Sequence, residues 1–380
     1  MSELNATNLR KEQGNEGPDL VGVTELTSPY FMVPPSGTTD ERPQNPEPGT
    51  LRFNTDIGNL EYFKGDIIGW ESINRYSPDL NGGARGVFGG GRVGDPAAAQ
   101  NVVQYITIPT AGNATDFGDL TVARHNFEGC GSRTRGIFMG GRTPTPSDVI
   151  DYITIPSLGN AIDFGNLVAA RQHGGACSSQ TRGLYIGGND HPSPNNSNQI
   201  DYITIATTGN ALDFGDATGS FSWGVSACSS PTRAVWSGGY SNPTGLNNTI
   251  DFCTIATLGN SQDFGDLDSR NYSNAACSNS TRALMAGGDN PVTSIINMVN
   301  IPSKGNAVRF GELSAGTFEF SATSSTIRGV WGGGLSPNDT TKIDVIQYKN
   351  FATAGDTVDF GNLLAATQEP AATSNAHGGL

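Results

Sequence analysis

Residues able to do chemistry are few in this chain, and most of them recur at fixed intervals. The four histidines, His125, His173, His191 and His377, include no pair at the spacing of a metal-binding motif. No Gly-x-Ser-x-Gly, His-Glu-x-x-His, phosphate-binding loop or Cys-x-x-Cys is present. Of the five cysteines, Cys130, Cys177, Cys228 and Cys277 hold the same place in successive repeats. A disulfide framework pairs different positions, so these read as one small buried residue used repeatedly, with folding in a reducing cytoplasm.

Two charged positions are more regular still. An arginine recurs as Arg85, Arg135, Arg182, Arg233, Arg282 and Arg328, and an Asp-Phe-Gly begins at Asp116, Asp163, Asp213, Asp263 and Asp359, with Arg309 in the remaining copy. Arginines that converged would bind an anion. One per repeat does not converge, so bonding to turn carbonyls or to a neighbouring Asp is the expected role. The surrounding Gly-Asn-Ala-x-Asp-Phe-Gly resembles the Asp-box hairpin of sialidases. Here Ala114, Ala161 or Ala211 replaces the hydroxyl residue of that box, and Leu120 or Leu167 its aromatic residue. In that family the box is structural, its carboxylate bonding local amides, and the same is expected here. A calcium loop would need a denser set of oxygens. These residues predict no catalytic set, no metal and no cofactor.

The elements that carry these residues follow from the spacing. A Gly pair always comes five and six residues after the arginine, as in Gly140-Gly141, and a bulky residue three after it (Phe88, Phe138, Tyr185, Trp236, Met285, Trp331). An alternating apolar run then centres on Tyr105, Tyr152, Tyr202, Phe252, Met298 or Tyr348, each eleven residues before the Asp position. Four strand-like pieces in about 47 residues make a propeller blade. The first piece, as in HGGACSS, is built of small residues, as an innermost strand crowded at an axis must be. The chain ends with NLLAATQEPAATSN, which aligns with NLVAARQHGGACSS and puts Thr373 at the cysteine position. The predicted fold is therefore all-β: a six-bladed β-propeller of four-stranded blades over 78–380, its ring closed by the C-terminal strand at 367–375 beside the Arg85 strand.

Composition agrees. With 51 Gly and 15% charged residues the chain suits short strands and tight turns better than helices. A net charge of −14 with dispersed basic residues argues against nucleic-acid binding. No apolar run long enough to span a bilayer occurs, and the first residues have no apolar core of a signal peptide. Ahead of the repeats, residues 1–48 read as an extended arm and Pro-rich linker. Residues 49–77 read as a small β-meander whose turns are Thr-Asp-Ile-Gly and Lys-Gly-Asp. So short a meander buries little by itself, and it is expected to dock on the propeller, another subunit or a larger assembly.

Length varies substantially in one connection only, between the Gly pair and the alternating run. Insertions confined to one connection per repeat project from one face. These loops are 92–101, 142–148, 189–199, 240–248, 289–293 and 335–341, and their candidate binding residues are Asp190, His191 and Tyr240.

The repeats with Tyr-Ile-Thr-Ile, Gly-Asn-Ala-x-Asp-Phe-Gly-Asp-Leu and Thr-Arg-Gly-x-x-x-Gly-Gly resemble repeat-type, kelch-like β-propeller structural proteins of tailed phages, particularly marine cyanophages. The kelch Trp of the fourth strand is absent. GTLRFNTDIGNLEYFKGDIIGWESI is similar to short modules near the ends of phage virion proteins. The resemblance implies a non-enzymatic virion component, assembled in the host cytoplasm and oligomeric within the particle. It would be a tail or head appendage or decoration protein, docked to other virion proteins through residues 1–77 and displaying the propeller to host-surface glycan or protein. Two other readings stand beside it: a glycan-binding or glycan-processing, sialidase-like propeller, and an intracellular scaffold propeller.

Overall fold

The computed structural model describes residues 34–56, 58–66, 69–72, 84–190, 195–337 and 341–380. The chain divides into two compact units, Met1–Ser77 and Pro78–Leu380. The protein is all-β, and no helix among the described residues is long and apolar enough to cross a membrane.

In the larger unit one antiparallel pattern recurs. The second sheet is typical: Glu128–Gly131, Arg135–Met139, Val149–Thr154 and Ile162–Asn166 pair in that order. The second strand is buried on both faces beyond its arginine, which is why it reads as an unbroken apolar run rather than an alternating one. The next three sheets begin at Gly175–Ser178, Ser226–Ser229 and Ala275–Ser278, and the sixth at Ser321–Ser324. The first sheet takes its leading strand from the far end of the chain. Ala371–Ser374 pairs with Arg85–Gly89, Thr373 standing opposite Val87.

These six leading strands lie side by side in chain order, and Ala371–Ser374 neighbours both Ser321–Ser324 and Glu128–Gly131. Serine hydroxyls stitch them. Ser178 Oγ donates to Gly131 O (2.6 Å), and Ser229, Ser278, Ser324 and Ser374 each donate to the preceding member of the series, at 2.6–2.7 Å. The repeated cysteines fill the gaps between sheets. A Cβ built on Gly183 would stand 2.9 Å from Cys130 Sγ, and one on Gly329 2.6 Å from Cys277 Sγ. All five cysteines are free and buried, and burial pushes the thiols of Cys130 and Cys228 up to about 12, leaving them unreactive.

The recurring arginines bond across to the next sheet. Arg85 Nη1 donates to Ile155 O (2.8 Å) and Arg182 Nη1 to Ile255 O and Ala256 O (3.0 and 2.9 Å). Arg328, in the sixth sheet, donates to Ile108 O and Pro109 O of the first at 2.9 and 2.8 Å. Each guanidinium also lies over a ring of its own sheet, 5.0 Å from Tyr202 for Arg182 and 4.5 Å from Tyr348 for Arg328.

The Asp of Asp-Phe-Gly is not the residue that holds the neighbouring turn. It sits within the fourth strand, exposed, at Asp116, Asp163, Asp213, Asp263 and Asp359. The preceding turn supplies the clamp through its Asn: Asp119 N–H donates to Asn160 Oδ1 (3.1 Å), Asn166 N–H to Asn210 Oδ1 (3.1 Å) and Asn362 N–H to Asn113 Oδ1 (3.0 Å). The edge strand turns its Asp to solvent, whereas the turn faces the fourth strand of the sheet before it, so the acceptor must come from the turn. The glycine of Asp-Phe-Gly is required by that approach. Gly165 has φ 144°, and a Cβ there would meet Gly209 O at 2.5 Å.

The smaller unit is a four-stranded sheet, and its linker contributes to it. Ser36–Gly37 pairs in parallel with Leu51–Asn54, ahead of the antiparallel strands Asn59–Phe63 and Trp70–Ser72. This departs from the extended linker expected of residues 34–48. The segment Ser36–Thr39 lacks Pro, and a short 3-10 helix, Thr39–Glu41, is capped by the Thr38–Glu41 pair and by Asp56 accepting from Thr39 N–H (2.8 Å). The interior is charged: Glu61, fully buried, accepts from Arg42 (2.6 Å) and Asn54 (3.2 Å) and faces Arg52 (3.6 Å). The bond to Arg42 outweighs desolvation and holds its carboxyl below the usual range.

Candidate functional site

Four residues before each cysteine position stands a residue that varies in type from sheet to sheet: Asn126, His173, Gly224, Ser273, Glu319 and Glu369. All six adopt the left-handed conformation, with φ of 55°, 59°, 67°, 55°, 54° and 55°. Side chains in that region cost about 1–2 kcal/mol each, and five of the six bear it. The backbone links them: His173 N–H donates to Asn126 O (3.0 Å), Glu319 N–H to Ser273 O (3.3 Å) and Glu369 N–H to Glu319 O (2.8 Å). Together they line one pocket, which Glu128 and Asn274 also enter.

The residue just before each of these six bridges to the start of a length-variable connection. His125 bridges Arg142, Gln172 bridges Asn189, Trp223 bridges Tyr240, Tyr272 bridges Asp289, Phe318 bridges Leu335 and Gln368 bridges Arg92. The pocket and the loops therefore open on the same face.

Its charges are held unequally. Glu369 receives Arg92 Nη2–H (2.8 Å) and lies 2.7 Å from His125 Nδ1. Burial alone would raise its pKa, but the His125 bond and the Arg92 charge prevail and keep it below the ordinary carboxyl range. Glu319, bonded by Gln368 Nε2–H (3.2 Å), is pushed up by desolvation and then by the charge of Glu369. Burial raises Glu128 to about 8 and lowers His173 to about 4, so His173 is neutral at pH 7. His173 stacks on Trp223 with ring centres 5.1 Å apart and planes at 9°. Tyr240 lies 6.4 Å from Tyr272, whose hydroxyl donates to Asp289 Oδ2 (2.7 Å).

Of the residues singled out from the sequence, Tyr240 is bridged to Trp223, the residue before the pocket-lining Gly224. Asp190 lies in the short strand Asn189–Asp190, one residue past the Gln172 bridge, and His191 falls outside the described residues. The loops do not furnish the face alone. Trp223, Tyr272 and His173 reach it from the segments that lead into the innermost strands, and Glu128, Glu319 and Glu369 converge although no motif joins them in sequence. His377 lies elsewhere, half-buried in a second pocket among the small residues of the leading strands, with Nε2 2.9 Å from Gly131 O. No group of three metal-ligating side chains occurs among the described residues.

Fold and site thus define an all-β protein of repeated four-stranded antiparallel sheets with a pocket on its loop-bearing face. No protein-family model matches the chain, and no curated protein matches it in sequence.

Proposed function

We propose that the unit 78–380 is a six-bladed β-propeller closed by its C-terminal strand. We further propose that the protein is a non-enzymatic virion component, a tail or head appendage that docks through residues 1–77 and displays the propeller for contact with a host surface. The observation that carries the display reading is the segregation of variability. Every joint between sheets is built alike, including Asn362 N–H on Asn113 and Arg328 on Ile108, whereas loop length and side-chain type vary together on one face. A propeller built so is a rigid mount with one adjustable surface.

The non-enzymatic reading is supported by what the pocket's charges already do. Glu369 is engaged by Arg92 and His125, and His173 is covered by Trp223. The virion assignment rests on the resemblance of the repeats and of the residue 49–73 segment to phage structural proteins. Mass spectrometry and labelling of purified particles test it: the protein should be present at fixed copy number, and its absence from purified virions would overturn the assignment.

A further inference from the structure

In the second to sixth sheets of the larger unit a tight turn joins the leading strand to the second strand, and a side chain at its start accepts from the recurring arginine's N–H. Ser132, Ser179, Ser230 and Ser325 do so through Oγ at 3.1–3.2 Å, and Asn279 through Oδ1 at 2.7 Å. The first sheet has no such turn, because its leading strand comes from the far end of the chain. Asn375 stands in the equivalent place and its Oδ1 accepts from Arg85 N–H (2.8 Å), but no covalent turn ties the two strands together. The strand Ala371–Ser374 is four residues long, and a pair so short opens locally unless something else holds it.

We infer that residues 376–380 are a clasp, which locks the strand 371–374 in place by gripping the leading strands of the second to fifth sheets. Ala376 N–H donates to Ser374 Oγ (3.2 Å), and the next residues close a turn, with Leu380 N–H on His377 O (3.1 Å). That turn lies in the space between the leading strands, where one pocket takes its lining from all six of them and from His377. His377 Nε2 stands 2.9 Å from Gly131 O and 3.2 Å from Ser178 Oγ, while its Nδ1 accepts from Gly379 N–H (3.1 Å). The Gly379 bond fixes the tautomer, so Nε2 carries the hydrogen and donates to Gly131 O. Desolvation lowers the pKa of His377 to about 4, which keeps the ring neutral at pH 7 as that tautomer requires. The two glycines are there because nothing larger fits. A Cβ on Gly378 would stand 2.5 Å from both Ser229 O and Asn279 O, and one on Gly379 would strike Ser178 O. To open the pairing of 371–374 with Arg85–Gly89, the tail must first be drawn out from these neighbours.

The clasp goes beyond the display reading: it rests on the strand pairing at 371–374 and holds whether or not the protein belongs to a particle. Hydrogen exchange followed by mass spectrometry on the full chain tests it, with Ser321–Ser324, the leading strand of the sixth sheet, as the internal reference. In the wild type the two strands are expected to exchange alike. Deletion of residues 376–380 should quicken exchange at 371–374 about tenfold, the effect of losing one or two hydrogen bonds that oppose local opening, and leave 321–324 unchanged. His377→Ala, which removes the ring without adding bulk, should act at the same place by a smaller factor. Circular dichroism melts establish that each variant folds, and if the deletion does not, His377→Ala decides the matter. Faster exchange at 371–374 than at 321–324 in the wild type, equal exchange at 371–374 in wild type and folded variants, or an acceleration shared by 321–324 would each overturn the inference.

Discussion

Two sets of six equivalent positions run through the repeats, and they are treated in opposite ways. At the joint between fourth strands and turns the clamping residue is Asn113, Asn160, Asn210, Asn260 or Asn306, with Asp356 as its one isostere. On the loop face the same backbone geometry carries Asn126, His173, Gly224, Ser273, Glu319 and Glu369. A joint has one geometric job, an acceptor at a fixed distance from an N–H, and one side chain serves it in every repeat. The loop-face position needs only a left-handed φ, which Gly meets at no steric cost, yet a Gly stands at one of the six. Construction explains the uniform set. It does not explain the varied one, whose side chains cost strain and make no contact common to all six.

The comparison is sharpest where a joint is broken. Gly165→Ala places a Cβ 2.5 Å from Gly209 O at φ 144°, both sides being backbone that cannot swing aside. A loss of about 3 kcal/mol or more is expected, from left-handed strain plus separation of the third sheet's turn. Urea unfolding measures it, and a variant within error of wild type would mean the joints do not hold the sheets. Arg182→Lys comes next. It keeps the charge but removes the planar fork that reaches Ile255 O and Ala256 O while lying over Tyr202, so stability should fall by about 1–3 kcal/mol. An unchanged thermal melt would count against that role.

The uniform set was largely legible in the sequence and the varied set was not. Fixed intervals exposed the strands, the arginines and the strand at 371–374, because identical jobs select identical residues. Asp is the more conspicuous group, but an edge strand turns it to solvent, and the neighbouring Asn faces the edge of the sheet before it. Counting back four residues from each cysteine position would have located the loop-face set. Nothing in the residue types marks it, since a shared conformation leaves no trace when only Gly among the six reports it. The pocket's ion pairs also join residues far apart, such as Arg92 with Glu369, which no local pattern connects.

A second comparison lies within the core. Asp151 and Asp201 are buried against Arg124 and Arg171, whereas Asp251, equally buried, is bonded by Thr218 Oγ–H and has an Oδ1 without a partner among the described residues. Desolvation raises the pKa of Asp251. A carboxyl raised on folding favours the folded state below its unfolded pKa and loses that contribution as pH rises through the folded value. Asp251→Asn should therefore stabilise the protein at pH 7 by about 1 kcal/mol and have little effect at pH 3. Equal effects at both pH values would show that the carboxylate is not the source of the cost.

The smallest effect tests the varied set itself. Ser273 has φ 55°, and no side-chain hydrogen bond is found for it among the described residues, while its neighbour in the series is already Gly224 at φ 67°. Ser273→Gly removes the left-handed penalty and keeps the Ser273 N–H bond to Gly224 O (3.1 Å). Against that gain stands the greater freedom of Gly in the unfolded chain, so the net should be a stabilisation of about 0.5–1 kcal/mol. Urea unfolding of this variant beside Gly165→Ala sets the two positions on one scale. If both glycine-region changes move as expected, in opposite directions, the joints are built for stability and the loop face carries side chains that stability alone would not retain. A loss of stability in Ser273→Gly would instead make the loop-face residues structural, and the contrast between the two sets would disappear.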